Sequence, residues 1–191
     1  MSALQQTPPS TANYDRRTIV LHWLSAALIV ALWLAGQSID YFPKGVPRIT
    51  VRSLHISAGV CLALILALRL TWRARGGARL PAADPGWTGR VAIGTHYLLY
   101  SLLMVAVLIG MACIWVRGDT LFYLFTVPHP GFADAVLREE VVDLHGLVAN
   151  TLLTVAGLHA SAALWHHLAL KDGVMRRMWP ALARRDQDRS G

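Results

Sequence analysis

Four long apolar stretches govern what this chain can become. They run from Ile19 to Gly36, from about Leu54 to Trp72, from about Val91 to Val116, and from Asp143 to Lys171. Each is long enough, as a helix, to cross a hydrocarbon core of about 30 Å. The composition agrees, since 54% of the 191 residues are hydrophobic and only 15% are charged, as in a small polytopic membrane protein. A net charge of +7 would suggest nucleic acid in a soluble chain. Here the basic residues flank apolar spans, where topology and anionic lipid account for them, and no nucleic-acid partner is expected. Trp23, Tyr41, Trp72, Trp115, Trp165 and Trp179 fall near span ends, as interfacial anchors do.

The expected fold is all-α, a transmembrane four-helix up-down bundle over residues 19–171. A flexible polar tail (1–18) precedes it and a basic tail (172–191) follows. The Arg16-Arg17 pair before the first span does not make a secretory signal, because the apolar run is too long and lacks a small-x-small cleavage site. Most of the 18 Lys and Arg residues belong to the two tails and the second connection. The first and third connections hold only Lys44, Arg48, Arg52, Arg117 and Arg138, and the third also carries Glu139, Glu140 and Asp143. The positive-inside rule then puts both termini in the cytoplasm of a cell whose inner membrane holds the protein.

The fourth span carries four histidines, His145, His159, His166 and His167. A bilayer penalises idle ionisable groups at depth, so each is a candidate site residue. His145 and His159 are fourteen residues apart, which on a helix returns the side chain to within about 40° at about 21 Å along the axis. With the helices alternating in direction, His22 matches His159 near the cytoplasmic side and His55 matches His145 near the outer side. Two imidazoles facing each other across a bundle suit a six-coordinate haem b iron, whose axial ligands are commonly nitrogen or sulfur side chains. Gly146, Ala149, Ala156, Gly157, Ala160, Ser161 and Ala163 would leave room for a flat macrocycle, although ordinary packing of spanning helices also favours small residues. A single membrane histidine is often just a hydrogen-bonded helix contact; four that pair by depth are a stronger signal. Zinc and non-haem iron sites usually add carboxylates or thiolates, and no cysteine lies near a histidine in sequence. Cys61 and Cys113 read as packing residues, and no C-x-x-C-H offers covalent haem attachment.

His96, at the depth of the inner pair, can replace His22 or His159 as a ligand, or can bond a propionate or a quinone. Anionic propionates need basic partners. Arg48, Arg52 and Arg117 are candidates on the outer side, and Arg16, Arg17, Arg69 and Arg73 on the inner side. With Lys44, the outer arginines can also focus an anionic donor. His166, seven residues past His159 and on nearly the same face, can hydrogen-bond a quinone carbonyl and deliver protons.

At these residues the chain resembles the bacterial cytochrome b561 family of four-helix di-haem membrane proteins. The resemblance rests on L-H-W at 21–23, S-L-H-I-S-A-G at 53–59, G-T-H-Y-L-L-Y at 94–100, V-R-G at 116–118, D-L-H-G-L-V-A-N at 143–150, and G-L-H-A-S-A-A-L-W-H-H with K-D-G at 157–173. It implies two haems b with axial ligands His22, His55, His145 and His159. It also implies passage of single electrons from an outer-face donor, superoxide or another small molecule, to ubiquinone. The same superfamily supplies b-type anchors for partner dehydrogenases and hydrogenases, which is the alternative role. Gly146 stands where relatives carry an acidic residue, so no proton role carries over to that position. A helical module whose histidines only pack is the non-redox alternative, and it predicts a colourless protein.

Overall fold

A computed structural model describes residues 13–77, 80, 86–122 and 124–179. Most of the N-terminal tail, the middle of the second connection and the basic tail beyond Trp179 lie outside those residues. Four α-helices dominate: α1 (Arg16–Ser38), α2 (Val46–Arg75), α3 (Trp87–Arg117) and α4 (Ala135–Trp165). All four are long and apolar enough to cross a membrane, and at 1.5 Å per residue they measure about 35 to 47 Å. The only strands among the described residues are two two-residue pieces, β1 (Thr120–Leu121) and β2 (Phe125–Thr126), paired antiparallel in the α3–α4 connection.

The helices extend past the apolar runs because their ends are set by capping outside the lipid. The Asp15 side chain accepts from the Thr18 backbone N–H at 2.9 Å, so α1 starts at Arg16 rather than Ile19. Asp134 does the same for α4 by accepting from Leu137 N–H at 2.8 Å, so the helix starts at Ala135, eight residues before the apolar run begins at Asp143. Pro47 in the first turn of α2 removes a donor that would have had no partner, so most of the expected first connection is helix. Gly118 closes α3 in the left-handed conformation (φ 66°), where its N–H bonds the Ile114 and Trp115 carbonyls.

Each helix touches the next around the bundle, and α4 returns to α1. Contact is most extensive within the pairs α1–α2 and α3–α4 and sparser between the pairs. The buried core joins Leu62 and Leu66 of α2, Leu103 and Ala106 of α3, and Leu152 of α4. Leu152 lies seven residues from both His145 and His159, so this apolar plug sits midway between the two histidine levels. Large apolar side chains such as Leu34, Leu64, Leu108 and Leu158 remain exposed on the outside of the bundle, as a lipid-facing surface requires.

The first and last described segments lie at one end of the bundle and are tied together. Tyr14 N–H donates to the Arg177 carbonyl at 3.1 Å. The Trp23 indole donates to the Met178 carbonyl at 3.0 Å and packs edge-on against Trp179. Asp15 also accepts from the Trp72 indole at 3.2 Å, while Arg17 lies over the same ring. Asp15→Ala therefore removes a helix cap and a helix–helix bond together. Its expected cost is about 1–2 kcal/mol, read as a lower midpoint of thermal unfolding in detergent, with altered Trp72 fluorescence.

Candidate functional site

The far level, at the end away from the termini, is formed by α2 and α4. His55 and His145 face each other with ring centroids 6.2 Å apart and planes at 87°. Two imidazoles bound to one metal from opposite sides, each at about 2 Å, have centroids a little over ~6 Å apart. The observed separation therefore fits a shared metal between them. Neither ring approaches the other closely enough for a direct hydrogen bond, and Nδ1 of both rings is buried without a closed bond among the described residues. Each ring lies against a glycine of a neighbouring helix. A Cβ on Gly36 of α1 would come within 3.2 Å of His55 Cε1, and one on Gly110 of α3 within 3.1 Å of His145 Cε1.

Beyond this pair, toward the connections, lies an open cleft of about 410 Å³ lined by Arg52, Arg117, Asp119, Arg138, Glu139 and Val142. Asp119 bridges Arg52 at 3.5 Å and Arg117 at 3.4 Å. Arg138 donates to the Ala133 carbonyl at 2.8 Å while its Nε is buried without a partner among the described residues. It stands seven residues before His145, two turns along the same face of α4. That spacing is legible in the sequence, where Arg138 stands beside Glu139 and Glu140. Arg48, grouped with Arg52 and Arg117 from the sequence, is engaged elsewhere. It bonds the Asp40 and Phe42 carbonyls at 3.0 Å each and pairs with the Asp40 carboxylate at 3.2 Å, clamping the turn between α1 and α2.

The level nearer the termini holds three histidines. His96 of α3 packs edge-on against His159 of α4 with centroids 5.2 Å apart, about an ångström closer than the far pair. His22 of α1 lies within electrostatic range of Arg69, His159 and His96. Arg69 and Arg73 both lie over the Tyr100 ring, at 5.0 and 5.9 Å from its centroid. Among the described residues no group of three or more His, Cys, Asp or Glu side chains is arranged to hold a bare metal ion. The far level offers two imidazoles in opposition, a donor set that fits a metal whose remaining positions are filled by a macrocycle, and the near level gathers three imidazoles.

Past the near level, α4 widens into a π-helical turn, His166–Leu170, and Lys171 takes the left-handed conformation (φ 52°). That bend carries Asp172 back onto His166, whose Nδ1 hydrogen-bonds the Asp172 carboxylate. Partial burial raises the Asp172 carboxyl, but the bonds from His166 and from Val174 N–H (3.1 Å) outweigh it and hold the group below the usual carboxylate range. Asp172 lies inside the K-D-G motif, and its pairing with His166 depends on a local winding that helical spacing does not foretell. His129 bonds the Pro130 carbonyl in the α3–α4 connection, outside both levels.

Comparison with known proteins agrees with this architecture. Residues 13–181 match the family model described as prokaryotic cytochrome b561. The chain is 29% identical over 171 residues to a probable superoxide oxidase CybB of Yersinia pestis, covering 88% of this chain and 96% of that protein. It is 26% identical to cytochrome b561 homolog 1 of Escherichia coli K12 (88% and 97% covered) and to cytochrome b562 of Cereibacter sphaeroides (87% and 94% covered). Four long apolar helices, histidines gathered at two levels and a match running nearly end to end lead to one conclusion: the chain belongs to the prokaryotic cytochrome b561 family, membrane electron-transfer proteins that carry haem b.

Proposed function

We propose that the protein is a di-haem oxidoreductase that moves single electrons from superoxide, at the end of the bundle away from the termini, to ubiquinone in the bilayer. The observation that carries this reading is the opposed His55–His145 pair beneath a cleft lined by three arginines. Both termini are assigned to the cytoplasm from the Lys/Arg asymmetry, which turns the cleft outward. His55 and His145 ligate one haem and His22 and His159 the other. The 5.2 Å between His96 and His159 is short for a shared axial pair, so His96 is assigned to a propionate or quinone contact beside them. When bound, haem b supplies a one-electron ferric–ferrous couple that the scaffold positions and tunes.

The remaining chemistry falls to the chain's own side chains. Arg52, Arg117 and Arg138 attract an anion to the cleft, while Asp119 and Glu139 offset part of their field. Arg69, within electrostatic range of His22, is a basic partner for a propionate at the inner level. His166, held through Nδ1 by Asp172, leaves Nε2 to take up a proton from the cytoplasmic side and pass it to a quinone oxygen. Two superoxide ions each lose one electron and leave as dioxygen; one ubiquinone gains both electrons with two protons. The Yersinia relative named a probable superoxide oxidase supports the choice of donor.

The exposed Leu124, Phe125 and Phe132 in the α3–α4 connection favour a second reading, in which this end docks a partner dehydrogenase or hydrogenase and the protein serves as its haem b anchor. The test is reduction of the detergent-purified protein by a superoxide source, followed optically with and without a ubiquinone analogue. Reduction followed by quinol formation is the expected result. A protein reduced only by a co-purifying redox subunit would sink the first reading in favour of the second.

A further inference from the structure

The two rings of the far level are seated in the same way, by elements that no motif in the sequence marks. His55 reaches from α2 to α1, where the backbone group it faces is the Leu32 carbonyl. His145 reaches from α4 to α3, where it faces the Ala106 carbonyl. One helical turn after each carbonyl stands a glycine, Gly36 after Leu32 and Gly110 after Ala106. Side chains on a helix lean toward its N-terminus, so each residue covers the surface of the turn before its own Cα. A glycine at that position uncovers the preceding carbonyl. Both imidazoles occupy the opening with the same edge: Cε1 and Nδ1 lie 3.2 and 3.6 Å from the position of a Gly36 Cβ, and 3.1 and 3.6 Å from that of a Gly110 Cβ. The Nδ1 atoms are buried and close no hydrogen bond among the described residues, and these two carbonyls are the acceptors they face.

We propose that Gly36 and Gly110 are positioning residues of the outer haem, opening the Leu32 and Ala106 carbonyls to Nδ1–H of His55 and His145 so that both rings present Nε2 inward as ligand. The inference rests on the reading that these two histidines are the outer axial pair. Hydrogen bonding of the second ring nitrogen fixes the tautomer and orientation of a ligating histidine and raises its donor strength. Alanine at either glycine puts a methyl group 3.1–3.2 Å from Cε1. The ring must give by a few tenths of an ångström, turning away from its carbonyl. A weaker donor favours the ferrous state. In Gly36→Ala and in Gly110→Ala the reduced-to-oxidised ratio of the outer haem at a fixed potential therefore rises by about tenfold, equal to about 59 mV for one electron.

The test is redox titration of the purified di-haem protein with low-temperature electron paramagnetic resonance of its oxidised form. Gly36→Ala and Gly110→Ala are compared with Gly94→Ala, a helical glycine whose added Cβ would meet nothing within 4 Å. We expect both test variants to move the potential and the g-values of the same haem in the same direction. The inner haem and the Gly94→Ala protein should stay at parent values. Two haems with parent potentials and g-values in both test variants would overturn the inference while leaving the ligand reading intact. Should an alanine shed the outer haem, the parent protein decides by pulsed resonance in D2O. A slowly exchanging, hydrogen-bonded Nδ1 proton on both outer axial imidazoles supports the inference, and prompt exchange overturns it. Retention of both haems in His55→Ala and His145→Ala would overturn the ligand reading and the glycine inference with it.

Discussion

Changing His55 or His145 to alanine is expected to halve the haem content of the purified protein, from two haems b per chain to one, and to remove the same haem in both variants. On the proposed assignment, each change takes one of two axial nitrogens from a site whose ring centroids stand 6.2 Å apart on different helices, leaving a single imidazole there. His22→Ala and His159→Ala are expected to remove the other haem, and His96→Ala to keep both. The last expectation follows from distance, because His96 and His159 at 5.2 Å are already in edge contact and leave too little space for a metal held between them. The reduced-minus-oxidised spectrum with a pyridine haemochrome count measures all five. Since a ligand that binds only the folded state stabilises it by mass action, each haem-deficient variant should also unfold at a lower temperature than the parent, whereas His96→Ala should not. A haem lost in His96→Ala but kept in His22→Ala would reassign the inner ligand. A colourless parent protein would remove the redox reading.

The bundle was legible in the sequence because apolar length is a direct physical requirement of the bilayer. The far level was legible because a fourteen-residue spacing on one helix fixes the depth of His145 opposite His55; at the near level the ring against His159 is His96 rather than the expected His22. Helix ends were less so: α2 starts at Val46 and α4 at Ala135 because turn chemistry and caps, not hydropathy, decide where a helix stops once it leaves the lipid. Gly36 and Gly110 could not be picked out among the many small residues of the spans. Only tertiary packing shows which of those residues has an imidazole against it. Arg48 and Arg52, four apart on α2, look equivalent in sequence. A turn folded back by one carboxylate and two carbonyls takes the first, and Asp119 shares the second with Arg117. Arg138 illustrates the converse, a cleft residue hidden in an acidic run. The His166–Asp172 contact depends on a π-helical turn, a winding fault with no reliable sequence signal.

The charge of the cleft makes an opposed pair of rate effects the most informative kinetic result. Three arginines and two carboxylates line it, leaving a net charge of +1, and Asp119 spends its field on Arg52 and Arg117 together. Arg138→Glu reverses the net sign to −1, whereas Asp119→Asn raises it to +2 and frees two guanidinium groups. Electrostatic focusing by a charged cleft changes association rates by roughly 10- to 1,000-fold. At low ionic strength Arg138→Glu is therefore expected to lower kcat/KM for superoxide at least ~10-fold, and Asp119→Asn to raise it severalfold. Arg48→Ala, whose guanidinium is already held by Asp40, should leave it near the parent value. The Debye length falls from about 30 Å at 0.01 M to about 8 Å at 0.15 M salt, so both differences should shrink as salt is added. Haem content measured beside the rate separates steering from damage to the site, because steering acts on encounter and leaves the haem-to-protein ratio at the parent value. Equal rates in all three variants at low salt, with both haems present, would mean that the anion does not enter through this cleft. The electron would then come from a docked partner, as the exposed Leu124, Phe125 and Phe132 in the adjoining connection would allow.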